Sequence, residues 1–87
     1  MKVLHIIKKT NDTYAWESAL RQREKKDGQV LVLLLHDAVL ASGPVDADGV
    51  FACRDDVAAR GVKTKAQLVG YEEIVKMLLE ADSVVCW

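Results

Sequence analysis

The chain has 87 residues, of which 51% are hydrophobic, and 12 Lys and Arg residues against 13 Asp and Glu residues give a net charge of −1. This length allows one domain, so we expect a single domain over residues 1–87. The near-neutral charge offers no overall attraction for nucleic acid or an anionic membrane, and neither is expected as a direct partner. A chain this small buries little more than ~60% of its unfolded surface, which favours self-association, most simply as a homodimer.

The sequence also predicts the cellular setting. The longest apolar run, from Val30 to Leu35, is far shorter than the roughly 20 residues of a membrane span. The apolar stretch between Lys2 and Lys8 is too short for a signal peptide, whose apolar region has about 7–15 residues. We therefore expect a cytoplasmic protein whose two cysteines are thiols. Neither metal-ligand spacing nor a glycine-rich phosphate loop is present, so no metal and no cofactor are expected.

Two apolar runs rich in branched residues, Lys2–Ile7 and Val30–Leu35, predict buried parallel strands. The segment between them predicts a helix that continues through about Lys25. Its alternative N-caps are Asn11, Asp12 and Thr13. These three elements form one βαβ unit.

The middle of the chain predicts a second, shorter unit. His36–Ala41 is long enough for a helical turn or two before Ser42-Gly43-Pro44 interrupts it. Val50–Cys53 predicts a third strand, and Arg54–Arg60 a brief helix that Gly61 ends.

The last third predicts a fourth strand at Ala66–Val69, a helix at Tyr71–Ala81 and a fifth strand at Val84–Trp87. The helix has an amphipathic pattern. The apolar residues that set this pattern are Tyr71, Ile74, Val75 and Leu78. Repeated β-then-α segments predict an α/β domain with a mostly parallel five-stranded sheet and helices on both faces, as in flavodoxin-like folds.

Ligands and chemistry gather beyond the carboxyl ends of parallel strands, which makes Cys53 and Arg54 candidate site residues. A helix N-terminus and the Arg54 charge both favour a thiolate at Cys53. A helix terminus contributes ~0.3–1 kcal/mol, less than the roughly 1.4 kcal/mol of one pKa unit, and Asp55 and Asp56 oppose it. Reactive and inert thiols are equally compatible with these residues.

Other titratable residues are weaker candidates. His36 and Asp37 follow a strand, where a general base can act, but a strand-end contact or N-cap is favoured over a functional role. His5 alternates with apolar residues of the first strand, which predicts a hydrogen-bonded core histidine. Cys86 is flanked by apolar residues in the last strand, so we expect it to be shielded.

Several segments together resemble the DsrH/TusB family over nearly the full length of the chain. They are Leu33–Leu40 with its His36-Asp37 pair, Val50–Cys53, Val57–Val62 with its Ala-Arg-Gly, and the terminal Trp87. The resemblance implies a member of the DsrE/DsrF/DsrH group, small α/β proteins that assemble into multimers and pass persulfide sulfur between proteins. The implied partners are DsrE/TusD-like and DsrF/TusC-like subunits and sulfur-donor and sulfur-acceptor proteins. The sulfur is destined for tRNA wobble 2-thiouridine in one branch and belongs to dissimilatory sulfur oxidation in the other.

One departure from the family pattern concerns Cys53. TusB proteins typically lack a cysteine at this position, whereas the sulfur-carrying TusD/DsrE subunits have theirs eight residues before the glycine of a similar Arg-Gly, the spacing of Cys53 and Gly61. The resemblance therefore implies Cys53 as a candidate persulfide carrier. The alternatives are a non-catalytic structural or interaction subunit of a DsrEFH/TusBCD-like complex and, less favoured, a flavodoxin-like small-ligand binder.

Overall fold

Five short runs of apolar, mostly branched residues form one sheet in the computed structural model, which describes residues 2–9, 13–24, 29–40 and 49–87. The strands are β1 (Lys2–Ile7), β2 (Gln29–Leu34), β3 (Val50–Cys53), β4 (Gln67–Val69) and β5 (Ser83–Cys86). All neighbouring strands are parallel, in the order β4-β3-β2-β1-β5. The predicted five-stranded parallel sheet is confirmed.

The connections place helices on both faces of the sheet. They are α1 (Thr13–Glu24), a 3-10 helix (His36–Leu40), α2 (Arg54–Arg60) and α3 (Tyr71–Glu80). From β1 to β4 the chain moves across the sheet in one direction, and α3 then returns it to β5 beside β1. Because parallel crossovers are right-handed, this reversal places α3 on the opposite face from the other helices.

Each face of the sheet has its own apolar cluster, as the two-residue alternation of strands requires. Trp16 of α1, Val39 of the 3-10 helix and Val57 of α2 pack on the first face, together with Ile7 and Leu34 of the sheet. On the second face, α3 packs against a smaller cluster. Its buried members are Leu4, Ile6, Leu31, Leu33 and Val69. These two clusters confirm the predicted α/β fold class.

The helix α3 departs from the amphipathic prediction. Ile74 packs against the second cluster as the pattern indicates, but Tyr71, Val75 and Leu78 are exposed, and no residue of α3 is fully buried. Among the described elements, α3 is the only helix on its face of the sheet, so no neighbouring helix there buries its flank.

The remaining boundaries agree with prediction to within a residue or so. The strands β2 and β5 each begin and end one residue earlier than predicted, and β4 begins one residue later. Several predicted turn and cap residues lie outside the described part of the chain. They are Asn11, Asp12, Lys25 and Ser42-Gly43-Pro44. Within the described residues, no helix combines the length and apolar character needed to cross a bilayer.

Candidate functional site

Cys53 lies where β3 passes directly into α2, at the carboxyl edge of the sheet. It is the N-cap of α2, with extended backbone angles (φ −66°, ψ 121°), and it is half-buried. The helix ends at Gly61, which adopts the left-handed conformation (φ 60°) and donates its N–H to the carbonyl of Ala58. A glycine adopts this conformation without the steric cost that a Cβ atom brings. The predicted Arg54–Arg60 helix and its glycine stop are therefore confirmed.

Asp56, in the first turn of α2, contacts residues from both the 3-10 helix and α2. One carboxylate oxygen of Asp56 accepts the backbone N–H of His36 at 2.9 Å, and the Arg60 guanidinium lies 3.6 Å from the other. The Cys53 thiol lies near this carboxylate and helps to lower its pKa. The pKa of Asp56 lies below its usual 3.8, mainly because of the backbone hydrogen bond from His36. Burial of the carboxylate raises this pKa, whereas the nearby thiol and the charges of His36 and Arg60 lower it further.

His36 and Asp37 join the same network from the 3-10 helix. His36 has a positive φ of 51°, a conformation in which few non-glycine residues occur, and the contact of its N–H with Asp56 stabilises it there. Asp37 accepts a hydrogen bond from Nε of Arg60 at 3.1 Å. Arg60 therefore bridges the two carboxylates and neutralises part of their charge.

Arg54 lies outside this network. Its side chain is exposed, and its guanidinium lies against Gly70, where a Cβ atom would come within 3.3 Å of Nη1. Glu73 also lies against Gly70 and accepts its backbone N–H, which satisfies one free donor at the start of α3. The structure thus brings Cys53, His36 and Asp37 together, whereas Arg54 extends across the neighbouring strand end.

Sequence reasoning missed Asp56 and Arg60 as members of the site. Their spacing is a signal in retrospect: Asp56 is three residues after the N-cap Cys53, as in a capping box, and Arg60 is four residues after Asp56 on the same helix face. The contact with His36, 20 residues away in the sequence, follows only from the packing of α2 against the 3-10 helix.

The prediction that Cys86 is shielded is wrong, because Cys86 is exposed. It lies on β5, an edge strand, and on the sheet face that α3 covers only in part. Cys53 and Cys86 are separated by three strand spacings of ~4.8 Å, or roughly 14 Å, too far for a disulfide within one chain. Both are free thiols, as predicted.

The prediction for His5 is confirmed, since only 3% of its surface is exposed and both ring nitrogens are hydrogen-bonded. Nδ1 accepts the indole N–H of Trp87 at 3.1 Å, and Nε2 lies 2.7 Å from Oε1 of Gln22. Because an indole nitrogen only donates, Nε2 must carry the proton of a neutral ring. An open cavity of about 310 Å³ lies beside this pair, with Arg21 and Val85 also in its lining.

No group of three or more His, Cys, Asp and Glu side chains is placed to hold a metal ion within the described ranges. The chemistry that the Cys53 site offers is that of its thiol. Nucleophilic attack by sulfur requires the thiolate. Asp56 lies near the thiol, but its lowered pKa makes it a weak base for the thiol proton.

The fold is that of a small parallel α/β domain, and solved structures share it. Four solved chains match it. Among them is the YchN protein from E. coli, with a TM-score of 0.80 and 15% sequence identity over 100% of this chain and 99% of that chain. No family model matches the sequence, and no curated protein matches it either. The similarity therefore concerns the fold.

Proposed function

We propose that the protein is a subunit of a sulfur-relay complex that passes persulfide sulfur between proteins, with Cys53 as the sulfur acceptor. The observation that carries this proposal is the position of Cys53, a partly accessible thiol at the carboxyl edge of a DsrE/YchN-like sheet. The DsrH/TusB resemblance of residues 1–87 supports a route toward 2-thiolation of tRNA wobble uridine. The partners are then DsrE/TusD-like and DsrF/TusC-like subunits.

The proposed transfer consists of two thiol exchanges. The Cys53 thiolate attacks the outer sulfur of a donor persulfide, the donor S–S bond breaks, and the donor leaves as a thiolate. A thiolate on the acceptor protein then attacks the outer sulfur of the Cys53 persulfide, and Cys53 leaves as the thiolate. One sulfur atom moves in each step, and no external oxidant or reductant is consumed.

Residues around Cys53 have distinct roles in this scheme. Solvent takes the thiol proton, because the lowered pKa of Asp56 makes that carboxylate a weak base. The backbone N–H groups in the first turn of α2 lack partners within the helix and stabilise the persulfide anion. Arg54 adds a positive charge at the exposed rim, where it favours an acidic surface on the partner.

A second candidate function is that of a non-catalytic interaction subunit in the same kind of complex. It is favoured by the position of Cys53, which is half-buried beside Asp56 as the N-cap between β3 and α2. In that role Cys53 is a small residue at a tight strand-to-helix junction, and partner subunits bind to the helix faces.

Sulfur loading separates the two candidates. The reduced protein is incubated with a cysteine desulfurase and cysteine, and peptides are mapped for the added mass of one sulfur atom. We expect the addition at Cys53, its loss in Cys53→Ser and its retention in Cys86→Ser, which is the matched control. Because Cys86 is the more exposed thiol, labelling of Cys86 that persists in Cys53→Ser contradicts the assignment. If neither thiol accepts sulfur, the interaction subunit takes the place of the carrier.

A further inference from the structure

The cavity beside His5 and Trp87 is a feature of the described surface that the proposed sulfur chemistry does not use. It has a volume of about 310 Å³ and opens to solvent. Ligand pockets in proteins start at about 300 Å³, so this cavity has room for a small molecule of one or two rings. It lies between α1 and β5, whereas Cys53 is on β3, with β2 and β1 between those two strands. The residues that line the cavity are His5, Ser18, Arg21, Gln22, Val85 and Trp87.

The fold explains why this space is left open. On the first face of the sheet, α1 packs mainly over β1 and β2. The strand β5 lies beyond β1 at the edge of the sheet, and His5 and Val85 are neighbours in register, so both side chains point to this face. The cavity is therefore the part of this face that lies beside α1 rather than under it.

Three polar residues of α1 form one wall of the cavity. Ser18, Arg21 and Gln22 are spaced at i, i+3 and i+4, which puts them on the same side of the helix. The guanidinium of Arg21 carries only hydrogen-bond donors, and it has no ion-pair partner among the described residues. None of the described residues that line the cavity is acidic. This wall therefore carries a positive charge.

The hydrogen bonds of His5 determine which group Gln22 offers to a ligand. Because Nδ1 of His5 accepts the indole N–H of Trp87, the proton on Nε2 is donated to Oε1 of Gln22. This bond engages the carbonyl of the Gln22 amide and leaves its NH₂ group to donate elsewhere. Together with the hydroxyl of Ser18 and the guanidinium of Arg21, the wall presents donors around a positive charge, which is the arrangement that binds a carboxylate.

The opposite wall of the cavity is flat and apolar. The half-buried indole of Trp87 is held in place by its hydrogen bond to His5 and by the ring of Tyr14, which meets it edge-on at 5.3 Å. The side chain of Val85 lies on the same face of β5. A fixed aromatic surface favours contact with a planar ring. A ligand that satisfies both walls has a carboxylate at one end and an aromatic ring at the other.

From these contacts we infer that the cavity binds a small aromatic carboxylate. Its carboxylate pairs with Arg21 and accepts hydrogen bonds from Ser18 and Gln22, and its ring lies against Trp87 and Val85. The inference does not depend on the sulfur chemistry of Cys53. A ligand with one ring has a dissociation constant on the order of millimolar in such a site, because few atoms make contact and the cavity is open.

Titration of the isotopically labelled protein with benzoate, followed by NMR of the indole N–H signals, tests this inference. The Trp87 signal is identified by its absence in Trp87→Phe. We expect this signal to shift and to saturate with a dissociation constant on the order of millimolar. Neutral benzamide and ring-free acetate each lack one half of the inferred ligand and should bind at least about tenfold more weakly. A Trp87 signal that does not shift with benzoate, or equal binding of benzamide, overturns the inference.

Two variants and a matched control locate the binding. Arg21→Gln removes the charge of the polar wall and should weaken benzoate binding at least about tenfold. Lys63→Gln makes the same change in net charge at an exposed position between α2 and β4, and it should leave the dissociation constant within about twofold. Ser18→Leu keeps every charge but places a larger apolar side chain in the cavity, and it should weaken binding by about tenfold or more. Binding that is unchanged in either Arg21→Gln or Ser18→Leu places benzoate elsewhere and overturns the inference.

Discussion

Replacement of Trp87 by Phe tests how the last residue of the chain is held. The backbone N–H of Trp87 donates to the carbonyl of Ile6 at 2.9 Å, and its indole N–H donates to Nδ1 of the buried His5 at 3.1 Å. The indole also stacks near the imidazole, with ring centroids 6.1 Å apart, and meets the ring of Tyr14 edge-on at 5.3 Å. Phe retains an aromatic ring in this place but lacks the indole donor.

The expected loss of stability comes mainly from the His5 imidazole, which stays in place after the substitution. Without the indole N–H, Nδ1 of His5 is an unpaired acceptor at a site with 3% exposure. An unsatisfied buried polar group costs about 1–3 kcal/mol, and for a chain of this size each kcal/mol lowers Tm by roughly 4–8 °C. We therefore expect Trp87→Phe to lower the free energy of unfolding by about 2 kcal/mol, with a drop of roughly 8–16 °C in Tm.

Urea unfolding and thermal melts of a double-mutant cycle measure this effect. The cycle combines Trp87→Phe with His5→Leu, which removes the acceptor, and the coupling free energy should be about 1 kcal/mol or more. Tyr14→Phe is the control, because it keeps the ring contact and loses only an exposed hydroxyl; its effect should stay within about 0.5 kcal/mol. A Trp87→Phe variant as stable as the native chain, or a coupling near zero, would refute the assigned role of this hydrogen bond.

Two further predictions follow from the fold and the site. Deletion of residues 84–87 removes most of β5 and its pairing with β1, so the shortened chain should unfold or aggregate, and unchanged melting and solubility would contradict the placement of this strand. Asp56→Asn should lower the free energy of unfolding by about 1 kcal/mol at pH 7, because a charged acceptor for the His36 N–H is lost. Since the pKa of Asp56 is lowered in the folded state, this difference should persist above pH 3.8 and shrink as the pH falls through the folded-state value; a difference independent of pH would argue against it.

The sequence is sufficient to predict the elements of this fold, because each element depends on local chemistry. Branched apolar runs give the strands, and Gly61 ends α2 in the left-handed conformation for which glycine is suited. Strand order cannot be predicted from local chemistry in the same way, because it depends on where each crossover connection returns to the sheet. The return through α3 makes β5 an edge strand, and for that reason a cysteine with apolar neighbours in the sequence, Cys86, is exposed.

The candidate site could be predicted only in part for the same reason. Cys53 is recognisable because a strand meets a helix at this residue, and His36 and Asp37 because they follow a strand. The role of Asp56 depends on a backbone N–H 20 residues away, which no local pattern encodes. Likewise, the burial of His5 could be predicted from strand alternation, but its partner Trp87, 82 residues away, could not.

The central claim, that Cys53 both receives and releases sulfur, is tested most directly by a chase of labelled persulfide. The protein is loaded with isotopically labelled sulfur by a desulfurase, the desulfurase is removed, and a purified DsrE/TusD-like subunit is added. Mass spectrometry of both proteins then follows the label over time. The account predicts that labelled sulfur leaves Cys53 and arrives on a cysteine of the added subunit, and that the Cys86→Ser variant behaves in the same way. A label that stays on Cys53, or that reaches the added subunit equally well from the Cys53→Ser variant, would contradict it.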